Sequence, residues 1–145
     1  MQSMAVLIDT NILADLLLGR DPYYDIANNI LIMCADKRIH GYIAAHSIPN
    51  LFYILRKSMT KEERREALKD ICQIVKVEGI DSFKIISALD NVDFADFEDC
   101  LQEECAVAVS ADYIVTRNVK DFVASRIPVI LPDQFLEKYK DIMPI

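Results

Sequence analysis

Three aspartates, with amide and hydroxyl residues near them, stand where apolar runs give way to polar ones. Asp9 closes the run Met4-Ala5-Val6-Leu7-Ile8, and Ser47 and Asn50 follow the run from Ile39 to Ala45. Thr116, Asn118 and Asp121 follow Tyr113-Ile114-Val115, while Asp99 falls on the polar face of the helix expected before that run. If these ends converge, the carboxylates of Asp9, Asp99 and Asp121 meet in one cleft. Two unit charges ~4 Å apart repel by ~4 kcal/mol at an effective dielectric of 20. Either some of the acids are protonated or a hard cation neutralises them. Oxygen ligands without Cys or His point to Mg2+ or Mn2+ rather than zinc. Such an ion suits phosphodiester hydrolysis, because it lowers the pKa of a water and screens developing charge. Each acid also has a plainer reading: Asp9 before Thr10-Asn11 is a good helix cap, and Asp121 could decorate a turn.

The elements that must position these residues alternate. The continuous apolar run at 4–8 reads as a buried strand, and 39–45, 113–115 and 129–131 as further strands, with a brief extended piece near Val77. Between them fall helical patterns at 12–18, 23–37, 47–57, 61–75, 81–89 and 94–109, and Pro132 opens a last helix to about Lys140. In the helix 94–109, Phe97, Leu101, Cys105 and Ala108 are expected on one stripe, with Asp96, Asp99 and Glu103 opposite. Strands separated by helices imply right-handed βαβ units and a parallel sheet, in which ligands bind beyond the carboxyl ends of the strands. No repeat or linker interrupts the chain, so a single domain over 1–145 is expected.

With 145 residues, 52% apolar and 27% charged, the chain can bury a core without staples. The net charge of −7 argues against coating nucleic acid, though not against touching it through metal ions or one basic patch. Cys34, Cys72, Cys100 and Cys105 form no CxxC pair and read as small core fillers. No leader or membrane span is visible in the sequence, so a cytoplasmic protein with no membrane partner is expected.

Three segments in order, VLIDTNILADLLLGR, DFEDCLQEECA and ADYIVTRNVKDF, resemble the PIN domain family, in its VapC-type toxin-like branch. The resemblance spans Val6 to Pro132. It implies a three-layer α/β/α sandwich with a central, mainly parallel sheet and an acidic pocket holding Mg2+ or Mn2+. Its members are typically endoribonucleases that leave a 5′-phosphate and a 3′-hydroxyl. Asp9, Asp99 and Asp121 match the family acids that bind metal and carry catalysis, and Thr116 and Asn118 match the polar residues that support them. For a toxin, the resemblance also implies a small antitoxin that masks the pocket, and homodimers are common among relatives.

One position departs from that pattern: Asn50 stands where many relatives carry an acid, usually Glu. An amide can still offer a carbonyl ligand but brings no charge. Asp96 and Glu98 lie close enough to compensate, although Glu98 is expected to turn away on the helical wheel. Glu103 and Glu104 stand where relatives tend to have small or apolar residues, and Glu104 falls within the apolar stripe without an explanation.

Of the cations, Arg117 is the better candidate for holding a phosphate; Lys61, Arg65 and Lys69 share one helix face, as solvated faces commonly do. Tyr23, Tyr24, Phe52 and Tyr53 read as core or dimer-interface residues ahead of base-stacking platforms, His46 as a satisfied structural histidine, and Ser47 as a helix cap. The leading expectation is a metal-dependent endoribonuclease acting on RNA. A silent PIN domain serving as an RNA- or protein-binding module is the alternative. A receiver domain would need an acid pair at the end of the first strand, and a dehalogenase-type phosphatase an Asp where Asn11 stands.

Overall fold

The structure, a computed structural model, describes residues 3–144. Five strands pair in parallel: β1 (Ala5–Ile8), β2 (His40–Ala44), β3 (Lys76–Glu78), β4 (Tyr113–Val115) and β5 (Val129–Ile130). Their spatial order is β3-β2-β1-β4-β5. The extended piece near Val77 is thus a hydrogen-bonded edge strand, in register with β2 through Ile43 and Val77. Seven α-helices connect and flank the strands: α1 (Thr10–Leu18), α2 (Tyr24–Ala35), α3 (Ser47–Ile54), α4 (Lys61–Ile74), α5 (Ser82–Asp90), α6 (Phe97–Ala108) and α7 (Pro132–Tyr139).

The alternation of side chains along β1 explains the layers. Val6 and Ile8 face the core formed with Ile12 and Leu13 of α1, Ile30 and Met33 of α2, Leu51 of α3 and Phe135 of α7. Leu7 between them faces the opposite core, with Ala44, Ile114, Ala88 of α5 and Leu101, Cys105 and Ala106 of α6. A sheet covered on both faces needs apolar residues on both, which is why β1 reads as a continuous apolar run. The chain is therefore an α/β/α sandwich around a parallel sheet. β1 lies at the centre: β2 and β3 are added on one side of it, β4 and β5 on the other. This reversal puts the switch point at the carboxyl end of β1, where Asp9 stands.

Several sequence expectations are corrected. α6 begins at Phe97 rather than near Phe94, because the Asp96 side chain caps it by accepting the Asp99 N–H at 2.9 Å. α6 is buried all round from Cys100 to Ala106, so its faces do not divide as expected: Phe97 and Ala108 are exposed and Glu103 is fully buried. α3 ends at Ile54 and passes into a 3-10 turn, Leu55–Lys57. Of the two readings of Tyr23, Tyr24 and Tyr53, core and dimer interface, the core one is excluded because all three lie on the surface, and Cys72 is exposed while the other three cysteines are buried. Among the described residues, no helix is long and apolar enough to cross a membrane.

Candidate active site

Asp9 follows β1 directly, and its N–H still reaches the sheet, donating to the Val115 carbonyl at 3.0 Å. It occupies the N-cap position of α1, yet its carboxylate makes no capping bond; Oδ2 instead accepts the Thr116 hydroxyl at 2.7 Å. Thr116 Oγ1 also accepts the Asn118 N–H at 3.0 Å, and the Asn118 carbonyl accepts the Asp121 N–H at 2.9 Å. One hydroxyl thus joins the ends of β1 and β4 and starts the turn that carries Asp121. Burial pushes the Asp9 carboxyl above the usual aspartate range. The Thr116 hydroxyl, the Thr10 and Asn11 N–H groups and the charge of Arg117 pull the other way.

Asp99 enters from α6, in its first turn. Its carboxyl is pushed up to about 7, chiefly by burial and then by the charges of Asp96, Asp9, Asp121 and Glu98. Asp9, Asp96, Glu98 and Asp99 line one cavity of about 320 Å3, with Asn11, His46, Asn50, Tyr53 and Gln102. Glu98 therefore does not turn away: it shares the cavity wall with Asp99. Asp121 is exposed and lies outside that wall, although its charge reaches Asp99.

Beneath the acids lies a polar floor that sequence reasoning missed. Thr10 Oγ1 and Ser47 Oγ are 2.7 Å apart, and Gln102 Nε2 donates to them at 3.0 and 3.3 Å. This ties α1, α3 and α6 together. Ser47 is the first residue of α3, with His46 at the cap position, and its hydroxyl turns inward rather than capping. Gln102 is 3% exposed and its Oε1 has no protein partner. The buried Nδ1 of His46 also lacks one, contrary to the expected satisfied histidine. Burial pushes the His46 imidazole below its ordinary pKa, with Glu98 and Asp96 pulling it back.

A model of the PIN domain family matches residues 5–120. The chain belongs to the PIN domain family. No curated protein sequence matches it. Among solved structures, this PIN domain is similar to a chain of VapBC2 from Rickettsia felis, described as bound to a promoter DNA fragment, at 21% identity and a TM-score of 0.66 over 88% of this chain and 98% of that one. A toxin–antitoxin complex from Klebsiella pneumoniae matches at 24% identity and a TM-score of 0.66, over 88% and 97% of the two chains. VapC20 from Mycobacterium tuberculosis, described as a sarcin-ricin-loop-cleaving toxin, matches at 15% identity and a TM-score of 0.60, over 75% and 86%.

Two further clusters of charge in this PIN domain lie apart from the cavity. Arg117 holds Asp15 in a two-toothed pair, Nε to Oδ2 at 2.7 Å and Nη2 to Oδ1 at 3.0 Å, and its guanidinium lies over the Tyr23 ring at 4.0 Å. A guanidinium committed in this way is a strut between α1 and the turn after β4. In the second cluster, Cys100, Glu103 and Glu104 bring ligand atoms within 4.8 Å of one another; among the described residues no other such set meets that distance, and the three family acids do not. Arg126 already fills it. Its guanidinium reaches Glu103 Oε1 at 2.7 Å and Glu104 Oε2 at 2.8 Å, its N–H donates to Glu103 Oε2 at 2.7 Å, and Ser87 donates to Glu104 Oε2 at 2.9 Å. Cys100 Sγ is no ready thiolate, since burial and then the two glutamates push its thiol up to about 11. Glu104 thus has its explanation: it is a buried counter-ion, not part of an apolar stripe.

Proposed function

We propose that this PIN domain is a divalent-cation-dependent endoribonuclease, the toxin of a toxin–antitoxin pair. The observation that carries the reading is the cavity at the carboxyl end of β1 that Asp9 shares with Asp96, Glu98 and Asp99. Acids that share one cavity wall repel one another, and a cation bound among them would relieve that repulsion. The donors around the cavity are carboxylate and amide oxygens with a single imidazole, a set that fits Mg2+ or Mn2+. Asp9 and Asp99 would hold the ion, with Asp121 completing the set from the turn after β4. When bound, such an ion supplies Lewis acidity at the phosphate and a water acidic enough to ionise near neutral pH.

The protein's own residues do the rest. Thr116 fixes the Asp9 carboxylate on the cavity wall by donating to Oδ2. Asn118 ties the Asp121 turn to the same hydroxyl. Asn50 contributes an uncharged wall where an acid would raise the cation affinity. Arg117 is engaged with Asp15, so its role is to hold α1 against β4 rather than to grip a phosphate. The partners in this reading are RNA, a cognate antitoxin and a second copy of the chain in the cytoplasm. The exposed apolar side chains Phe83, Ile86 and Leu89 on α5, continued by Val92, support self-association.

Asn50 favours a second reading, a silent PIN domain that binds without cutting. The test is cleavage of a labelled mixed RNA pool by protein freed of any partner through denaturation and refolding. Cleavage with Mn2+ or Mg2+, abolished by EDTA and by Asp9→Asn, is the expected result. Folded protein that fails to cut, even after Asn50→Glu, would refute the nuclease reading in favour of a binding module.

A further inference from the structure

We propose that Tyr53, which lines the acidic cavity, and Arg56 stacked on it form a platform on which an unpaired nucleobase stacks, so that RNA enters the site as a single strand. The inference rests on the ribonuclease reading for the identity of the polymer only. Along α3 and its extension, Leu51 and Leu55 are buried and Phe52 lies half-buried under Arg64, whose Cζ is 4.1 Å from the ring centroid. Tyr53 alone among these turns outward. It is 63% exposed and lines the same cavity as Asp9 and Asp99.

Its ring is already prepared. The Arg56 Cζ sits 3.7 Å from the Tyr53 centroid, and Arg56 Nη1 donates to the Tyr53 carbonyl at 2.9 Å. The guanidinium therefore lies over the ring, which is still 63% exposed and has surface left for a second flat group. Among the described residues Arg56 makes no ion pair with a carboxylate. This matters because Asp9, Asp96, Glu98 and Asp99 would repel an approaching phosphate. An uncommitted cation beside an exposed aromatic ring answers both needs of a nucleotide, charge for the phosphate and a face for the base. In duplex RNA the bases stack on one another and offer no free face.

The experiment is fluorescence anisotropy of a labelled single-stranded RNA decamer and of the same sequence as a duplex, in Ca2+ to neutralise the carboxylates. The protein and its Tyr53→Ala, Tyr53→Phe and Arg56→Ala variants are compared, with circular dichroism confirming the fold of each. Tyr53→Ala is expected to weaken single-strand binding by about five- to a hundredfold, while Tyr53→Phe stays within about twofold. Arg56→Ala is expected to lower the slope of log affinity against log salt by about 0.7, the value for one phosphate on a single strand. The duplex should bind more weakly and be indifferent to Tyr53→Ala. Single-strand binding unchanged by Tyr53→Ala would overturn the proposal. So would a switch from dimer to monomer in that variant by sedimentation, which would assign the ring to a subunit contact. Because the readout is binding, a protein that binds in this way but never cuts would refute the nuclease reading and leave the platform standing.

Discussion

Arg117 grips Asp15 through two hydrogen bonds of 2.7 and 3.0 Å, although the carboxylate is only 1% exposed and sits on the inner side of α1. A buried charge is tolerable only with a partner, and Arg20, at 3.4 Å, offers a weaker second one. The pair ties the start of the Asp121 turn to the helix that follows Asp9. Arg117→Ala is therefore expected to cost about 3 kcal/mol in urea unfolding, because it strands Asp15. Arg117→Lys should recover only part of that, since an ammonium cannot reproduce the planar fork. A loss below about 0.5 kcal/mol for Arg117→Ala would show that Arg20 suffices.

The raised Asp99 carboxyl gives stability a definite pH dependence. Its pKa is about 7 in the folded chain against an ordinary 3.8, so the folded state binds the extra proton between those values. The stabilisation is complete below the ordinary value and is lost as pH rises through about 7. The melting temperature should fall between about pH 4 and pH 7 and level off above that, and Asp99→Asn should flatten that decline. Mn2+ should restore stability at the alkaline end, and its affinity should rise with pH as the proton is displaced. A melting temperature independent of pH across this range would contradict the crowding of these acids.

Arg126 is half exposed, yet it is the counter-ion of two carboxylates at 0% and 5% exposure. Arg126→Ala leaves both buried without a cation and should destabilise the chain by about 3–5 kcal/mol. Glu103→Gln in the same background should return a good part of the loss by removing one orphaned charge. Calorimetric unfolding of the single and double variants measures the coupling.

The polar floor predicts an asymmetry. Gln102→Met removes two donated hydrogen bonds but also an unpartnered buried oxygen, so stability should change by no more than about 1 kcal/mol. Ser47→Ala leaves Thr10 and Gln102 with one fewer partner each and should cost about 1–3 kcal/mol. Equal losses in denaturant titrations would mean that Gln102 Oε1 has a partner in solution.

The frame of this protein was legible because its signals are local. Val6-Leu7-Ile8 announces a strand buried on both faces, and Asp9 directly after it must lie at the carboxyl end of a parallel sheet. The same logic located Thr116 and Asn118, and their bonds to Asp9 and to the Asp121 turn follow from the β1–β4 pairing. β3 was legible only as an extended piece, because an edge strand with exposed lysine and valine lacks the apolar run of a central one.

By itself, the sequence determined the order of strands and helices, the family, and which acids stand at strand ends. The tertiary structure decided what faces each of them. Periodicity reports which side of a helix is apolar when one side meets water, but α6 is enclosed between the sheet and α5 and has no such side from Cys100 to Ala106. Its glutamates could be placed only once Arg126 was seen to arrive from the chain 22 and 23 residues away. Arg117 looked free for a phosphate until Asp15, 102 residues distant, proved to hold it. Tyr53 read as core or dimer interface; the structure puts it on the surface, where it lines the cavity with residues of α1 and α6. Charge pairing and exposure are relations between segments far apart in the chain, and only folding brings them into range.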